Sequence, residues 1–202
     1  MRHMDLNIEA NREGLIHHFP KLVDDNTFTI ESPATSSYNC IAWAMGFDDR
    51  WIDYIDDHSP KKWWPSGVPR DWNPNTLIAA FEAVGFEKCG MNDTPEEGFD
   101  KVALYKVSPF YEPVSKERKP EGWCHAARIV AEGIYHSKIG HSFDVRHRSG
   151  DLFSGTSYGE VYQVMKRPME LRSIVEKIKQ EEPRLIIPDN IIAMIAGMMK
   201  KK

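Results

Sequence analysis

A single cysteine stands at the predicted start of an apolar helix. In the stretch SSYNCIAWAMG, a polar run ends at Asn39 and Cys40 opens the apolar segment. Asparagine is a preferred N-cap residue, so we expect Cys40 in the first turn of a helix. Unpaired backbone N–H groups and the helix dipole favour a thiolate there, and the thiolate is the nucleophilic form of cysteine. Cys40 is therefore the candidate catalytic nucleophile.

A cysteine nucleophile needs a base, and the usual partner is a histidine that is distant in sequence and near in the fold. Of the eight histidines, His125 is the best candidate, because it opens the predicted strand HAARIV. We expect the Cys40 sulfur and a ring nitrogen of His125 to lie within about 3–5 Å of each other. Cys124 is expected to point to the opposite face, because neighbouring residues alternate along a strand.

A third polar residue would orient the imidazole of His125 by accepting a hydrogen bond from its N–H. If HAARIV and GIYHSKIG form a hairpin that turns at Ala131-Glu132-Gly133, the second strand brings such residues beside His125. Asp144 and His141 rank level for this role, and Ser137 could serve weakly. Asp144 or His141, taken alone, is more simply explained as a solvated loop residue.

An oxyanion site would combine the backbone N–H of Cys40 with one side-chain donor, and Tyr38 and Asn39 are the nearest candidates. The simpler explanation of Asn39 is that it is fully occupied as the helix cap. Trp63 and Trp64, in the segment KKWWP, could line a substrate cleft. Packing in the core or in a loop is the first expectation for both tryptophans.

The elements that must position these residues follow an α+β order. NTLIAAFEAVGF predicts a helix with one apolar face, capped by Asn75 or Thr76. The second half changes to strand-like segments, namely KVALYKV, HAARIV, GIYHSKIG and GEVYQVMKR. After Pro168 the apolar spacing is helical again. We therefore expect one domain over residues 4–167, with helices packed on an antiparallel sheet, and a helical extension over residues 168–202.

Composition narrows the class of protein. The 202 residues suit one domain with an extension. A net charge of −4 and a pI of about 6.1 give no general reason to expect binding to nucleic acid or a membrane surface. Three cysteines fit free thiols in a reducing cytosol better than a disulfide framework, so a cytoplasmic location is expected. No apolar run resembles a signal peptide or approaches the roughly 20 residues of a transmembrane helix.

Five sequence blocks resemble, in their order, an uncharacterised bacterial domain family of unknown function. The blocks are YNCIAWA, WWP, HAAR, SKIG and YGEV followed by RP, and they cover roughly Ser36 to Pro168. The same order resembles the compact papain-like fold of cell-wall peptidases and CHAP-type amidases. That resemblance implies Cys40 as nucleophile, His125 as base and a third residue from GIYHSKIGHSFD. Ile41 departs from those peptidases, in which small polar residues usually follow the cysteine.

The sequence thus predicts a cysteine hydrolase of amide bonds, a peptidase, amidase or deamidase, which acts on a peptide or protein through an acyl-enzyme and without a cofactor. A metal site is a competing hypothesis, although the spacing of its potential ligands matches no standard pattern. The potential ligands are Cys124, His125, His136, His141, Asp144 and His147. The chain could also be a non-catalytic binding module on the same scaffold, or a toxin or defence effector. The C-terminal helices could then bind a protein partner.

Overall fold

A large antiparallel sheet dominates the computed structural model, which describes residues 6–26, 28–55, 62–114, 116–148 and 158–170. The helices are α1 (Glu9–His18), α2 (Cys40–Met45) and α3 (Pro74–Ala83), and a 3₁₀ helix spans Pro20–Asp24. The strands are β1 (Thr29–Ser32), β2 (Trp51–Ile52), β3 (Lys62–Trp63), β4 (Glu87–Lys88), β5 (Phe99–Val107), β6 (Phe110–Glu112), β7 (Glu117–Lys119), β8 (Gly122–Ala131), β9 (Ile134–Lys138), β10 (Asp144–Arg148) and β11 (Glu160–Pro168).

Seven strands form the main sheet in the order β1-β10-β9-β8-β5-β11-β4, and every neighbouring pair is antiparallel. Strands β2 and β3 pair in parallel, and β6 and β7 form a separate hairpin. The predicted hairpin between HAARIV and GIYHSKIG is confirmed, since β8 ends at Ala131 and β9 begins at Ile134. Gly133 has a positive φ of 64°, which a tight turn requires and glycine adopts readily.

The two faces of the sheet are covered by different parts of the chain. Val102 and Leu104 of β5 and Ala126 of β8 pack with α2 and α3, and we call this side the helix face. Tyr105 of β5 and Ala127 of β8 alternate with them and lie on the side that we call the opposite face. Because both sides are buried, apolar residues of the central strands β5 and β8 point to both faces rather than to one face only.

The predicted papain-like α+β architecture is wrong. Among the described residues, only α1 and α3 exceed seven residues, and the sheet rather than the helices forms most of the structure. Helix α2 has only six residues because Gly46 ends it in the left-handed conformation, with φ 96°. The predicted helical extension lies outside the described residues from residue 171 onward.

Arg167 of β11 ties both helices of the helix face to the sheet. Its guanidinium donates to the carbonyl oxygens of Met45 (3.1 Å) and Val84 (3.5 Å), at the ends of α2 and α3, and to Asp100 Oδ2 of β5 (3.0 Å). A positive charge at a helix C-terminus complements the helix dipole. The ring of Phe86 lies 4.4 Å below the guanidinium carbon, so this buried charge is enclosed on several sides.

A side chain covers the exposed edge of the sheet at β1. Asn7 Oδ1 accepts a hydrogen bond from the Ile30 backbone N–H (2.8 Å), and Asn7 Nδ2 donates to the Ile30 carbonyl (3.3 Å). These are the two groups that a further strand would use.

Candidate functional site

Cys40 is the first residue of α2, as predicted, and Asn39 is its N-cap. Asn39 Oδ1 accepts from the backbone N–H groups of Ala42 (3.0 Å) and Ile52 (3.2 Å), and Asn39 Nδ2 donates to the Ile52 carbonyl (2.9 Å). The amide therefore uses its oxygen and one N–H group to fix the start of α2 against β2. An additional role of Asn39 as an oxyanion donor gains no support from these contacts.

The Cys40 thiol is buried on the helix face, with 9% of the residue exposed. Burial raises its pKa to about 11, while backbone N–H groups of Ala126 and Ile41 act as hydrogen-bond donors to the sulfur and oppose the rise. The charge of Lys138 also lowers the thiol pKa. At neutral pH the resting thiol is protonated, so the helix N-terminus alone does not activate it.

His125 lies on the opposite face of the sheet. Its ring stacks on Tyr158 at a centroid distance of 4.0 Å and meets Tyr105 edge-on at 5.1 Å. The next residue, Ala126, points to the helix face, where Cys40 packs. The structure therefore does not bring Cys40 and His125 together, and the predicted contact between their side chains is not formed.

His125 instead belongs to a buried chain of hydrogen bonds with Ser137 and His147. Its Nε2 lies 3.1 Å from Ser137 Oγ, which lies 2.9 Å from His147 Nε2. His147 Nδ1 faces the Arg148 carbonyl, which can only accept. With both rings neutral, His147 Nε2 accepts from the Ser137 hydroxyl, and Ser137 accepts from His125 Nε2–H. Burial, and then the neighbouring His147, lower the pKa of His125 to about 3.

A second polar cluster lies on the helix face beside Cys40. Asp144 Oδ2 accepts from Ser32 Oγ and from Tyr38 OH, both at 2.6 Å. Asp144 is only 4% exposed, and its Oδ1 is buried with no hydrogen-bond partner among the described residues. Burial and the bond to Asp144 raise the pKa of Tyr38. Tyr38 precedes the helix cap, so it joins Asp144 to the segment that carries Cys40.

Lys138 completes this cluster, which we call the helix-face cluster: Ser32, Tyr38, Cys40, Lys138 and Asp144. Lys138 is fully buried, directly opposite Asp144 in the pairing of β9 with β10. Its Nζ donates to the Ser142 carbonyl and lies 5.2 Å from the centre of the Tyr38 ring. Burial lowers the pKa of Lys138, and the charges of Asp144 and of a Cys40 thiolate oppose that shift.

Sequence reasoning gave no role to Lys138 or Ser32, and it considered His147 only as a potential metal ligand. For Lys138 a signal was present, because SKIGHSFD contains a glycine turn between two charges of opposite sign. Gly140 has a φ of 49° in that turn, and the residues that flank it become a cross-strand pair. The role of Ser137 was also underestimated, since it and not Asp144 or His141 contacts His125.

The other predicted site residues lie elsewhere. His141 is exposed and its ring lies 4.3 Å from that of Trp51. Trp64 is buried in the core and stacks on Trp123, which agrees with the expected core packing. Trp63 is partly buried and packs against the same core. Both tryptophans therefore contribute to the same hydrophobic core that contains Cys40, and lining of a substrate cleft stays a prediction.

Cys124 does not turn away from the surroundings of His125 as predicted. Tyr105 pairs with His125 and Lys106 with Trp123, so Cys124 is an extra residue that forms a bulge. Its sulfur contacts the carbonyl oxygen of Tyr158, the residue whose ring stacks on His125. The bulge breaks the alternation on which the prediction depended.

Within the described ranges, no three histidine, cysteine, aspartate or glutamate side chains form a group that could hold a metal ion. None of the helices in that part of the chain combines the length and apolarity needed to cross a membrane.

Comparison with protein families gives one finding. A family model described as a domain of unknown function, DUF7689, matches residues 29–166, more than half of the chain. The matched range contains both the helix-face cluster and the His125 chain. Neither the curated proteins nor the solved structures include a significant match. The predicted relationship to an uncharacterised domain family is confirmed, and no link to papain-like hydrolases is found.

Proposed function

This chain belongs to the DUF7689 family, whose function is unknown, and we propose a function from the site itself. The protein is a cysteine-dependent amide-bond hydrolase, with Cys40 as the nucleophile and Lys138 as the base. One observation carries this proposal. Cys40 opens α2, which packs on the helix face, and the buried Lys138 lies on that face with its Nζ 5.2 Å from the ring of Tyr38, two residues before Cys40. His125 has no direct role in this scheme, because its ring lies on the opposite face.

The chemistry of Lys138 suits a base. Burial lowers its pKa, so near neutral pH more of it is the neutral amine than for an ordinary lysine. A neutral amine can accept the proton of a nucleophile, as in hydrolases with a serine–lysine pair. The transfer creates a thiolate and an ammonium in a poorly solvated site, where their attraction is strong. The backbone N–H groups that act on the sulfur stabilise the thiolate further.

The reaction balances with these two groups and water. The Cys40 thiolate attacks the amide carbon, a C–S bond forms and the C–N bond breaks. The Lys138 ammonium returns the proton to the leaving nitrogen. Water then attacks the thioester and releases the carboxylic acid, which restores the thiol.

A second candidate function is a non-catalytic binding module. The burial of Cys40 and its thiol pKa of about 11 favour it, since a structural cysteine has both properties. The two functions differ in whether Cys40 can be acylated in the folded protein.

Acylation by p-nitrophenyl acetate tests the choice without knowledge of the natural substrate. We expect release of p-nitrophenol near pH 7.5 and one acetyl group on Cys40, located by mass spectrometry of peptides after acid quenching. Lys138→Met should abolish acylation, and Lys138→Arg should do the same, because a guanidinium keeps the charge and cannot act as base.

His125→Gln and Cys89→Ala serve as matched controls that should retain acylation of Cys40. Circular dichroism melting of each variant shows whether it is folded. If Cys40 stays unmodified in the folded wild type, or if Lys138→Arg is acylated at the wild-type rate, the hydrolase proposal fails and the binding module replaces it.

A further inference from the structure

Asp144 Oδ1 is a buried acceptor without a donor, beside the proposed nucleophile. The partner oxygen, Oδ2, already accepts from Ser32 and Tyr38. Oδ1 is shielded from solvent and has no hydrogen-bond partner among the described residues. A buried carboxylate oxygen without a partner is costly, because its lost hydration is not replaced. The atom therefore has the properties of an acceptor that a bound molecule completes with an N–H or O–H group.

Lys138 supplies complementary donors in the same place. Ser32, Asp144 and Lys138 lie opposite one another across β1, β10 and β9, so their side chains share the helix face. The Lys138 amine donates to the Ser142 carbonyl, and in its neutral form it has one further N–H group and a lone pair. The other N–H is available to a ligand oxygen, and the lone pair is available to the Cys40 proton. After proton transfer, the ammonium can donate to a developing oxyanion.

Burial limits the size of the leaving group. Cys40, Lys138 and Asp144 are all nine-tenths or more enclosed, which suits a small group at the scissile bond rather than a chain that continues on both sides. A primary carboxamide fits these conditions, because its NH₂ can donate to Asp144 Oδ1 and its carbonyl oxygen can accept from Lys138. Its leaving group is ammonia, which needs little room.

We infer that the substrate group is a primary carboxamide, such as a glutamine or asparagine side chain, and that the reaction is deamidation. This inference rests on the proposed function and specifies its substrate. Water is consumed, the carboxamide becomes a carboxylate, and ammonia leaves with the proton that Lys138 took from Cys40. Asp144 binds the substrate nitrogen through Oδ1.

The loop before α2 and the turn between β9 and β10 contact each other next to the helix-face cluster. Thr35 N–H donates to the Ser142 carbonyl (3.3 Å), Trp51 Nε1 donates to the Ser36 carbonyl (2.7 Å), and the Trp51 ring lies on exposed His141. The Ser142 carbonyl also accepts from Lys138, so these contacts join both loops to the helix-face cluster.

Competition against acylation tests the inference on the whole protein. Butyramide, N-methylbutyramide and butyrate are each added while p-nitrophenyl acetate acylates Cys40. Butyrate has no N–H group, and N-methylbutyramide carries an extra methyl group on the nitrogen that must approach Asp144 in an enclosed site. Butyramide should therefore slow acylation at a concentration about tenfold lower than either analogue. Wild-type protein should also release ammonia from benzyloxycarbonyl-glutaminyl-glycine or its asparagine counterpart.

In Asp144→Asn, the inhibition constant of butyramide, measured against that variant's own acylation rate, should rise about tenfold. Asp49→Asn, a change in an exposed pair with Arg50, is the matched control and should keep the wild-type constant. If Cys40 is never acylated, the proposed function fails and the inference fails with it. If Cys40 is acylated but all three competitors act equally, or Asp144→Asn keeps the preference for butyramide, Oδ1 holds only a water molecule and the substrate assignment is overturned.

Discussion

His125 is held neutral by its surroundings, and this ties the stability of the fold to acidity. The ring is fully buried between Tyr105 and Tyr158, and its Nε2–H is used by Ser137. In the folded protein its pKa is about 3, whereas an exposed histidine in the unfolded chain has a pKa of about 6.5. The unfolded chain therefore binds more protons than the folded protein between these two values.

We expect the free energy of unfolding to fall as the pH drops from about 6.5 towards 3. In this range His125 takes up a proton in the unfolded chain but not in the folded protein, so acid favours the unfolded state. The contribution of His125 approaches about 1.4 kcal/mol per pH unit within this window and is constant below it. Urea unfolding followed by tryptophan fluorescence at pH 7, 6, 5 and 4 measures the slope.

Other titrating groups also contribute to that slope, so a variant isolates the part from His125. His125→Gln keeps an N–H donor for Ser137 and removes the titration. Its stability at pH 7 should be lower than that of the wild type, and its decline with acid should be shallower. Parallel curves for the two proteins would contradict the assignment of this acid sensitivity to His125.

At the scale of elements, the start of α2 depends on one amide. Asn39 caps α2 through Ala42 and holds β2 through both backbone groups of Ile52. Helix α2 is short and places both Cys40 and, through the preceding loop, Tyr38. Loss of the Asn39 amide therefore disturbs the helix-face cluster as well as α2.

Asn39→Ala should reduce the free energy of unfolding by about 2 kcal/mol, because it removes an N-cap and leaves the Ile52 groups without partners. Asn39→Asp keeps the acceptor and loses only the donor to the Ile52 carbonyl, so its loss should be clearly smaller. Denaturant titration at pH 7 compares the two. An equal loss in both variants would mean that the donor, and not the cap, stabilises this region.

The sequence predicted those elements whose pattern is local. NTLIAAFEAVGF became α3, although the helix begins at Pro74 after the cap Asn73 rather than later, since proline suits the first helical position. The side on which His125 would lie could not be read from HAARIV. Ala126 and Ala127 are both small and apolar, so the strand pattern does not show which face receives α2. That choice depends on the register with β5 and on the bulge at Cys124.

At the scale of the whole molecule, Arg167 joins parts of the chain that are more than a hundred residues apart. It contacts the ends of both helices on the helix face and a carboxylate of the central strand β5. Because the carbonyl groups at the helix ends have few other donors, one side chain stabilises the attachment of α2 and α3 to the sheet together.

Arg167→Met should lower the free energy of unfolding by about 3 kcal/mol, because it leaves Asp100 and two helix ends without their partner in a buried place. Arg50→Met, which removes an exposed pair with Asp49, should cost less than about 1 kcal/mol. Chemical denaturation of both variants gives the comparison. Similar losses in the two would show that the buried guanidinium adds nothing beyond an ordinary surface pair.

Asn7 gives the sheet a closed boundary at β1. An amide side chain has the same donor and acceptor as a peptide unit, and here it occupies the place where the backbone of another molecule would pair with Ile30. The far edge, β4, is only two residues long and both are charged. A seven-stranded sheet would otherwise offer each protein molecule a template for joining the next. The protein thus carries, in one asparagine and one short charged strand, its protection against growth into a continuous intermolecular sheet.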